Sequence, residues 1–241
     1  YFTQEFRRLM ISHFGKNPTY DSLLRALASR TLTAEQLAKA CNLHTGGTLA
    51  SLLEDLVLAG FVERVIPIDK QERSKLVRYR IEDEYLHFYF RFIEHRFPEV
   101  TAGSLGHFDL TSEPSYKQWR GYAFERLCRK NAAQIAEALR FAGIRYRAGS
   151  WFNQNPKGAQ VDLLFERGDK ILTLCEVKWS LPGSASKLAA EIENRRAALK
   201  LAFPAYGIQT VLILGETPRL GVPDSLRKLF DHILSAEKIF F

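Results

Sequence analysis

Two consecutive apolar runs decide the fold of this chain: Val161-Asp162-Leu163-Leu164-Phe165 and Ile171-Leu172-Thr173-Leu174-Cys175-Glu176-Val177-Lys178-Trp179. Runs of this length and composition predict strands, and apolar residues on both faces of the second run predict a central strand. Because successive side chains of a strand point to opposite faces, Glu176 and Lys178 share one face. Charges placed beside buried positions need partners, since burying an isolated charge is costly.

The turn between the two strands decides whether Asp162 and Glu176 can form a joint site. A two-residue loop at Gly168-Asp169 would place the two carboxylates on opposite faces of the sheet. A three-residue loop, Arg167-Gly168-Asp169, would pair Asp162 with Leu174 and make the carboxylates same-face diagonal neighbours, about 7 Å apart. The sequence leaves both registers, and a bulge, open.

Converging carboxylates favour a divalent cation. Two of them about 4 Å apart repel by about 4 kcal/mol at an effective dielectric constant of 20. Mg²⁺ binds one or two carboxylates together with phosphate oxygens and water, so Mg²⁺ or Mn²⁺ is the expected cofactor. Lys178, about 7 Å along the strand from Glu176, is suited to orient an attacking water or to offset charge on a phosphate. The alternative is a plain ion pair between Glu176 and Lys178 at a strand end, with Asp162 solvated nearby.

The surrounding residues predict an α/β domain from residue 113 to 241, in the order helix, three strands, helix, strand and helix. The predicted ranges are a helix from 113 to about 141, strands near 144–152, 160–166 and 170–179, a helix near 186–202, a strand at 209–214 and a helix from 223 to about 234.

Asp162, thirteen intervening residues and then Glu176-Val177-Lys178 resemble the motif of the PD-(D/E)XK nuclease superfamily. The element order resembles the αβββαβ core of that superfamily, which is restriction-endonuclease-like. The resemblance implies a metal-dependent (endo)deoxyribonuclease in which Asp162 and Glu176 bind metal and Lys178 assists catalysis. Val161 stands where the family nominally has proline. An inactive descendant of the fold is the alternative.

In that superfamily a glutamate on the first core helix often joins the metal site. Gly121-Tyr122-Ala123-Phe124-Glu125 matches this pattern, which makes Glu125 a further catalytic and metal-binding candidate. A glycine inside a helix costs about 1 kcal/mol relative to alanine. Gly121 therefore predicts the close approach of another element to this helix.

The N-terminal part predicts a winged helix-turn-helix domain over residues 1–83, because helical patterns are followed by two strands, at 61–66 and 76–81. The helix from Thr45 to Leu58 would be the recognition helix, but its N-terminal surface offers few side chains that read DNA. Both DNA contact and a packing or regulatory role stay open. Residues 84–112 are interpreted as an aromatic core helix followed by a linker.

The charge is concentrated in the C-terminal part: residues 101–241 have a net charge of +6, against +1 for residues 1–100. A positive surface favours polyanions through the release of counterions. The candidate DNA contacts are Lys70, Arg73, Lys75, Arg78, Arg145, Arg147, Lys157, Arg195, Arg196 and Lys200.

The whole chain resembles the C-terminal region of a prokaryotic family of AAA-type ATPases, through the winged helix, residues 78–92 and the nuclease-like end. The resemblance implies an upstream ATPase domain of the same polypeptide, and the first residue, Tyr1, likewise indicates a piece of a longer protein. These residues contain no Walker motif. The expected partner is DNA, and the sequence leaves an oligomer open.

Dispersed cysteines indicate a reducing compartment, hence the cytoplasm, and no apolar run is long enough to span a membrane. The sequence therefore favours a DNA nuclease. The rival is a non-catalytic DNA-binding or regulatory extension of an ATPase. A third interpretation is a toxin–antitoxin or transcriptional regulator led by the winged helix.

Overall fold

The computed structural model describes residues 2–71, 74, 76–98, 102–103, 109–153, 158–181, 183–218 and 221–241. It divides into two compact units, residues 1–66 with 71–109 and residues 67–70 with 110–241. Together they give a mixed α/β protein. None of the helices in the described ranges is long and apolar enough to cross a membrane.

The first unit has the helix and hairpin order of a winged helix. Its elements are α1 (Phe2–Phe14), α2 (Pro18–Leu27), α3 (Ala34–Ala40), α4 (Gly47–Leu58), β1 (Val62–Val65), β2 (Arg78–Ile81) and α5 (Glu84–Phe88). β1 and β2 pair antiparallel, and an isolated antiparallel β-bridge pairs Leu32 with Tyr79 of β2. α3 begins at a capping box that Thr33 and Gln36 form.

The aromatic segment after the wing belongs to the core of the first unit. α5 continues into a π-helical turn (Tyr89–Ile93) and a 3-10 turn (Glu94–Arg96). Tyr89 and Phe90 are buried, and the Tyr89 ring stacks on Phe6 of α1 with 4.6 Å between ring centroids. The prediction that these aromatic residues form core is therefore confirmed, and the helix is part of this unit rather than a separate segment.

The second unit is built around a five-stranded sheet in the order β3-β4-β5-β6-β7, in which β4 is antiparallel to its neighbours and β5, β6 and β7 are parallel. Its strands are β3 (Tyr146–Phe152), β4 (Gln160–Arg167), β5 (Ile171–Lys178), β6 (Gly207–Leu214) and β7 (His232–Ser235). Its helices are α6 (Pro114–Lys130), α7 (Ala132–Ala138), α8 (Ala185–Ala202), α9 (Asp224–Arg227) and α10 (Ala236–Phe240).

Two apolar layers cover this sheet. On one face, Phe124 and Cys128 of α6 pack with residues of β4 and β5. On the other face, Leu188 and Ile192 of α8 pack with the alternate residues of the same strands. β5 therefore lies between helices on both faces, as its continuous apolar run predicts.

Two predicted helices differ from the structure. The predicted helix 113–141 is two helices, because Asn131 leaves the helical conformation between them, with φ −113° and ψ 36°. The predicted helix 223–234 was wrong over its second half. There the chain forms β7, which pairs with Val211–Leu214 of β6.

The turn between β4 and β5 corrects both predicted registers. It is a three-residue turn, Gly168-Asp169-Lys170, with Lys170 at a positive φ of 64°, and it pairs Leu164 with Leu174 and Leu163 with Cys175. Asp162 and Glu176 are the next residues beyond this last pair. The turn lies one residue further along the chain than the sequence suggests, because Arg167 stays in β4.

Candidate functional site

A bulge in β4 changes the alternation at Asp162. Gly149 of β3 pairs with Leu164 and Trp151 pairs with Val161, so two residues of β4 stand opposite the single residue Ser150. The Ser150 hydroxyl donates to the carbonyl oxygen of Asp162 at 3.0 Å. Bulges of this kind redirect side chains and are common beside active sites. The regular alternation of side chains between the two faces of β4, from which the face of Asp162 was predicted, therefore ends at this residue.

Asp162 is half-buried at the end of the sheet. Its Oδ1 accepts a hydrogen bond from the Gln160 side-chain amide at 2.8 Å. One carboxylate oxygen is thus engaged by a neutral donor from the same strand. The negative charge of Asp162 raises the pKa of Glu125, which lies on α6 in the helix layer on one face of the sheet.

Glu176 is buried, with an exposed fraction of 5%, and is held by two cations. Its Oε1 forms an ion pair with the Lys178 ammonium at 2.8 Å, and its Oε2 forms an ion pair with the Arg195 guanidinium of α8. Partners of this kind are what a buried carboxylate requires. Arg195, predicted as a DNA-backbone contact, instead binds Glu176 inside the site.

Lys178 stays charged despite its burial. Burial alone would lower the pKa of its ammonium, but the negative charge of Glu176 and the hydrogen bond to it raise the pKa above its usual value. Glu125 acts in the same direction, whereas Arg195 opposes it. Lys178 is therefore a fixed positive charge beside the carboxylates.

Glu125 has a strongly altered acidity. Burial, followed by the negative charge of Asp162, raises its pKa to about 7, while Lys178 and Arg129 act in the opposite direction. Close to neutral pH this carboxyl is then both proton donor and acceptor, which is the property of a general acid or base. The structure thus places Glu125, Asp162, Glu176 and Lys178 within electrostatic reach of one another.

The carboxylates do not converge as ligands in their present side-chain positions. In the part of the chain that the structure describes, no group of three or more His, Cys, Asp or Glu side chains is arranged to hold a metal ion. Carboxylate oxygens remain the donors that Mg²⁺ and Mn²⁺ prefer, so the donor set fits these ions in chemistry. Arg195 and Lys178 compensate the negative charge of Glu176, and a bound metal ion would have to share this carboxylate with them.

The sequence did not indicate the role of Arg195 or the space beside Gly121. Arg195 lies 19 residues beyond Glu176, and only the packing of α8 on β5 brings the two together. The prediction that another element approaches Gly121 was wrong: a Cβ atom there would meet nothing within 4 Å among the described residues. In the sequence, the available signal for this space was a glycine in the middle of a predicted helix.

The other predicted basic contacts fall into four groups. Arg145 is exposed, whereas Lys70 is ion-paired with Asp69, Arg147 with Glu166 and Arg196 with Glu193, and Lys200 donates to the Tyr206 carbonyl. Arg78 is half-buried, and burial lowers the pKa of its guanidinium. Arg73, Lys75 and Lys157 lie outside the described residues.

The predicted wing is divided between the two units. Residues 67–70 belong to the second unit, where the Ile68 amide donates to the Ser150 carbonyl at 3.0 Å and the Ile68 side chain packs in the core. Lys70 is therefore a residue of the second unit. The N-terminal surface of α4 is exposed at Thr45, Thr48 and Ser51, which leaves it accessible to a partner.

Residues 89–192 match the family DUF234, described as archaeal and bacterial proteins of unknown function. This match includes Glu125, Asp162, Glu176 and Lys178. An uncharacterized protein of Methanocaldococcus jannaschii is 29% identical over 173 residues, which is 71% of this chain and 38% of that protein. The chain therefore spans well under half the length of this curated relative.

Two solved structures share limited likeness with the chain. One is a homodimeric winged helix-turn-helix DNA-binding domain from Mycobacterium bovis, with a TM-score of 0.30 and 20% identity, covering 44% of this chain and 94% of that one. The other is a MarR family protein from Bacillus stearothermophilus, with a TM-score of 0.28 and 21% identity, covering 56% and 85%. TM-scores this low do not establish a shared fold.

Proposed function

We propose that this chain is a DNA-processing module and that its second unit hydrolyses DNA phosphodiester bonds with Mg²⁺ or Mn²⁺. The observation that carries the proposal is the grouping of Glu125, Asp162, Glu176 and Lys178 at one end of the sheet, where burial and the charge of Asp162 raise the pKa of Glu125 to about 7. A perturbed carboxyl beside a fixed cation is typical of catalytic sites. The net charge of +7 favours a polyanionic substrate.

The order of elements in the second unit supports the nuclease interpretation. A helix bearing Glu125 precedes three antiparallel strands bearing Asp162 and Glu176, and a helix and a parallel strand follow. This is the order expected of a PD-(D/E)XK core, with β7 as a further strand. The size of the archaeal relative supports a longer polypeptide, in which we place the ATPase domain upstream.

In this proposal Asp162, Glu176 and Glu125 would hold the metal once their side chains turn toward it. When bound, the metal would lower the pKa of a coordinated water and polarise the scissile phosphate. Lys178 supplies positive charge to the phosphate oxygens as negative charge develops on them. Without metal the pKa of Glu125 is raised to about 7, so metal binding at this carboxylate would displace its proton. Arg195 holds Glu176 in place and must yield part of this ion pair to the metal.

A second candidate is a non-catalytic DNA-binding or regulatory module of an ATPase. It is favoured by the two ion pairs that already neutralise Glu176, and by the lack of a three-ligand cluster among the described residues. In that case the charged group would serve stability rather than chemistry. The winged-helix order of the first unit fits DNA binding in both candidates.

The test is incubation of the purified chain with supercoiled and single-stranded DNA, with Mg²⁺, Mn²⁺ or chelator. Asp162→Asn and Lys178→Met should each abolish metal-dependent cleavage and preserve folding. Asp224→Asn and Lys228→Met are matched controls, since both residues are exposed on the same unit, and they should cleave normally. DNA binding without cleavage by any form would favour the second candidate.

Metal binding can be tested without cleavage. Mg²⁺ should raise the thermal midpoint of the wild-type second unit, because a ligand that binds only the folded state stabilises it. Asp162→Asn should lose most of this response, and Asp224→Asn should keep it. Equal responses in both variants would place the metal elsewhere or show that it binds without specificity.

A further inference from the structure

Gly121 occupies the middle of α6 without a structural need for glycine. Among ordinary residues, only proline is a worse helix former. Its φ is not positive, and a Cβ atom there would meet nothing within 4 Å among the described residues. Neither backbone conformation nor packing against a described neighbour therefore requires glycine at this position. A glycine also allows a ligand to approach the helix backbone closely, and this is the reason for glycine that is left at this position.

The bare position adjoins the candidate active site. At 100° per residue, Gly121 lies about 40° from Glu125 around the helix and one turn before it. Side chains of a helix lean toward its N-terminus, so the side chain of Glu125 extends over the turn that contains Gly121 and Tyr122. Glu125 lies between these two residues in angle. The open space thus borders the carboxyl whose pKa is raised to about 7.

Tyr122 adds an exposed ring to this turn. It is 53% exposed, and its hydroxyl accepts a hydrogen bond from the Gln118 side-chain amide at 3.5 Å. It lies about 60° from Glu125, on the side opposite Gly121. The other large exposed apolar side chain described on α6, Leu127, is 44% exposed and about 140° from Tyr122. Leu127 therefore provides a control on a different side of the same helix.

We propose that Gly121 and Tyr122 form a contact subsite for an unpaired DNA strand. The sugar–phosphate backbone lies against the bare helix surface at Gly121, and a base stacks on the Tyr122 ring. Aromatic rings bind bases without sequence preference, but only bases released from the duplex stack present a free face. This inference rests on the proposed action on DNA, and it names the substrate class as single-stranded or frayed DNA.

The test measures binding and cleavage separately. Fluorescence anisotropy with a labelled 20-nucleotide oligo(dT), in chelator, measures single-strand binding, and a blunt duplex of equal length is the comparison. Tyr122→Ala should weaken single-strand binding by roughly 5- to 100-fold. Tyr122→Phe should stay within about twofold of wild type, and Leu127→Ala should have no effect. Duplex binding should change little in all three variants.

Substitutions of Gly121 require two measurements, one of single-strand binding and one of the stability of the second unit. Gly121→Ala and Gly121→Met should weaken single-strand binding in proportion to side-chain size, and should raise KM for cleavage of that strand. Both should also raise the thermal midpoint of the second unit by about 2 °C, since alanine and methionine are better helix formers. Weaker binding together with higher stability cannot result from misfolding.

Each outcome decides a separate question. Unchanged single-strand binding in Tyr122→Ala and Gly121→Met overturns the subsite, even if wild-type cleavage establishes the nuclease. Equal losses for Leu127→Ala also overturn it, because the effect would then not be specific to this turn. Binding without cleavage, with the expected pattern of losses, supports the subsite and favours the non-catalytic candidate over the nuclease. A wild-type chain that neither binds nor cleaves DNA overturns both.

Discussion

Replacing Glu125 with glutamine should change how the stability of the second unit depends on pH. The pKa of Glu125 rises from 4.5 in an ordinary environment to about 7 in the folded protein, because of burial and the charge of Asp162. At 1.36 kcal/mol per pH unit this is about 3 kcal/mol, and the partial exposure of the side chain reduces it to about 2–3 kcal/mol. Glutamine removes the ionisation.

The direction of the effect follows from proton binding. Because the folded state binds the Glu125 proton more tightly than the unfolded state, protonation stabilises the fold. This contribution is complete below pH 4.5, is lost as pH rises to about 7, and stays lost above it. Relative to wild type, Glu125→Gln should therefore gain about 2–3 kcal/mol between pH 4.5 and pH 8.

The three tryptophans make a fluorescence measurement of unfolding specific for the second unit. Trp119, Trp151 and Trp179 all belong to the second unit, so urea unfolding followed by tryptophan fluorescence reports on this unit alone. The difference in unfolding free energy between variant and wild type is measured at pH 5, 6, 7 and 8. Glu137→Gln, an exposed glutamate on α7, should give a profile parallel to wild type. A parallel profile for Glu125→Gln as well would refute the assigned environment of Glu125.

Three further substitutions test other contacts. Arg195→Met leaves buried Glu176 with one cation and should destabilise the second unit by about 2–3 kcal/mol in urea unfolding, with Arg195→Lys recovering part of the loss; no loss would mean that the ion pair is dispensable. Gly215→Ala places a Cβ atom 2.6 Å from the Trp179 ring and should cost about 1–3 kcal/mol, visible as a lower thermal midpoint; an unchanged midpoint would contradict the close contact. Tyr20→Phe removes a 2.6 Å hydrogen bond to a carboxylate of α4 and should cost about 1–2 kcal/mol by circular dichroism, whereas a neutral result would show that water replaces the bond.

The sequence was informative where one element carries its own signal. The apolar run of β5 predicted a central strand, because this signal depends only on neighbours within the strand. The position of Glu125 on a helix ahead of three strands was also readable from local patterns. Local periodicity is enough for predictions of this kind.

The candidate site depends on residues that are distant in sequence. Whether Asp162 and Glu176 could act together depended on a turn that lies one residue further along than the sequence suggested, and on a bulge opposite Ser150. Such choices depend on pairing with neighbouring strands, which local patterns do not specify. The same holds for β7, where pairing with β6 prevailed over a helical pattern.

The sequence by itself determined the apolar strands, the charged motif and the helix that carries Glu125, because each arises from residues close together in the chain. Tertiary structure alone decided that Arg195 of α8 neutralises Glu176, and that burial and Asp162 bring the pKa of Glu125 to about 7. It also decided that Gly121 adjoins open space rather than another described element. The physical reason is that charge compensation, desolvation and free volume depend on how separate elements pack.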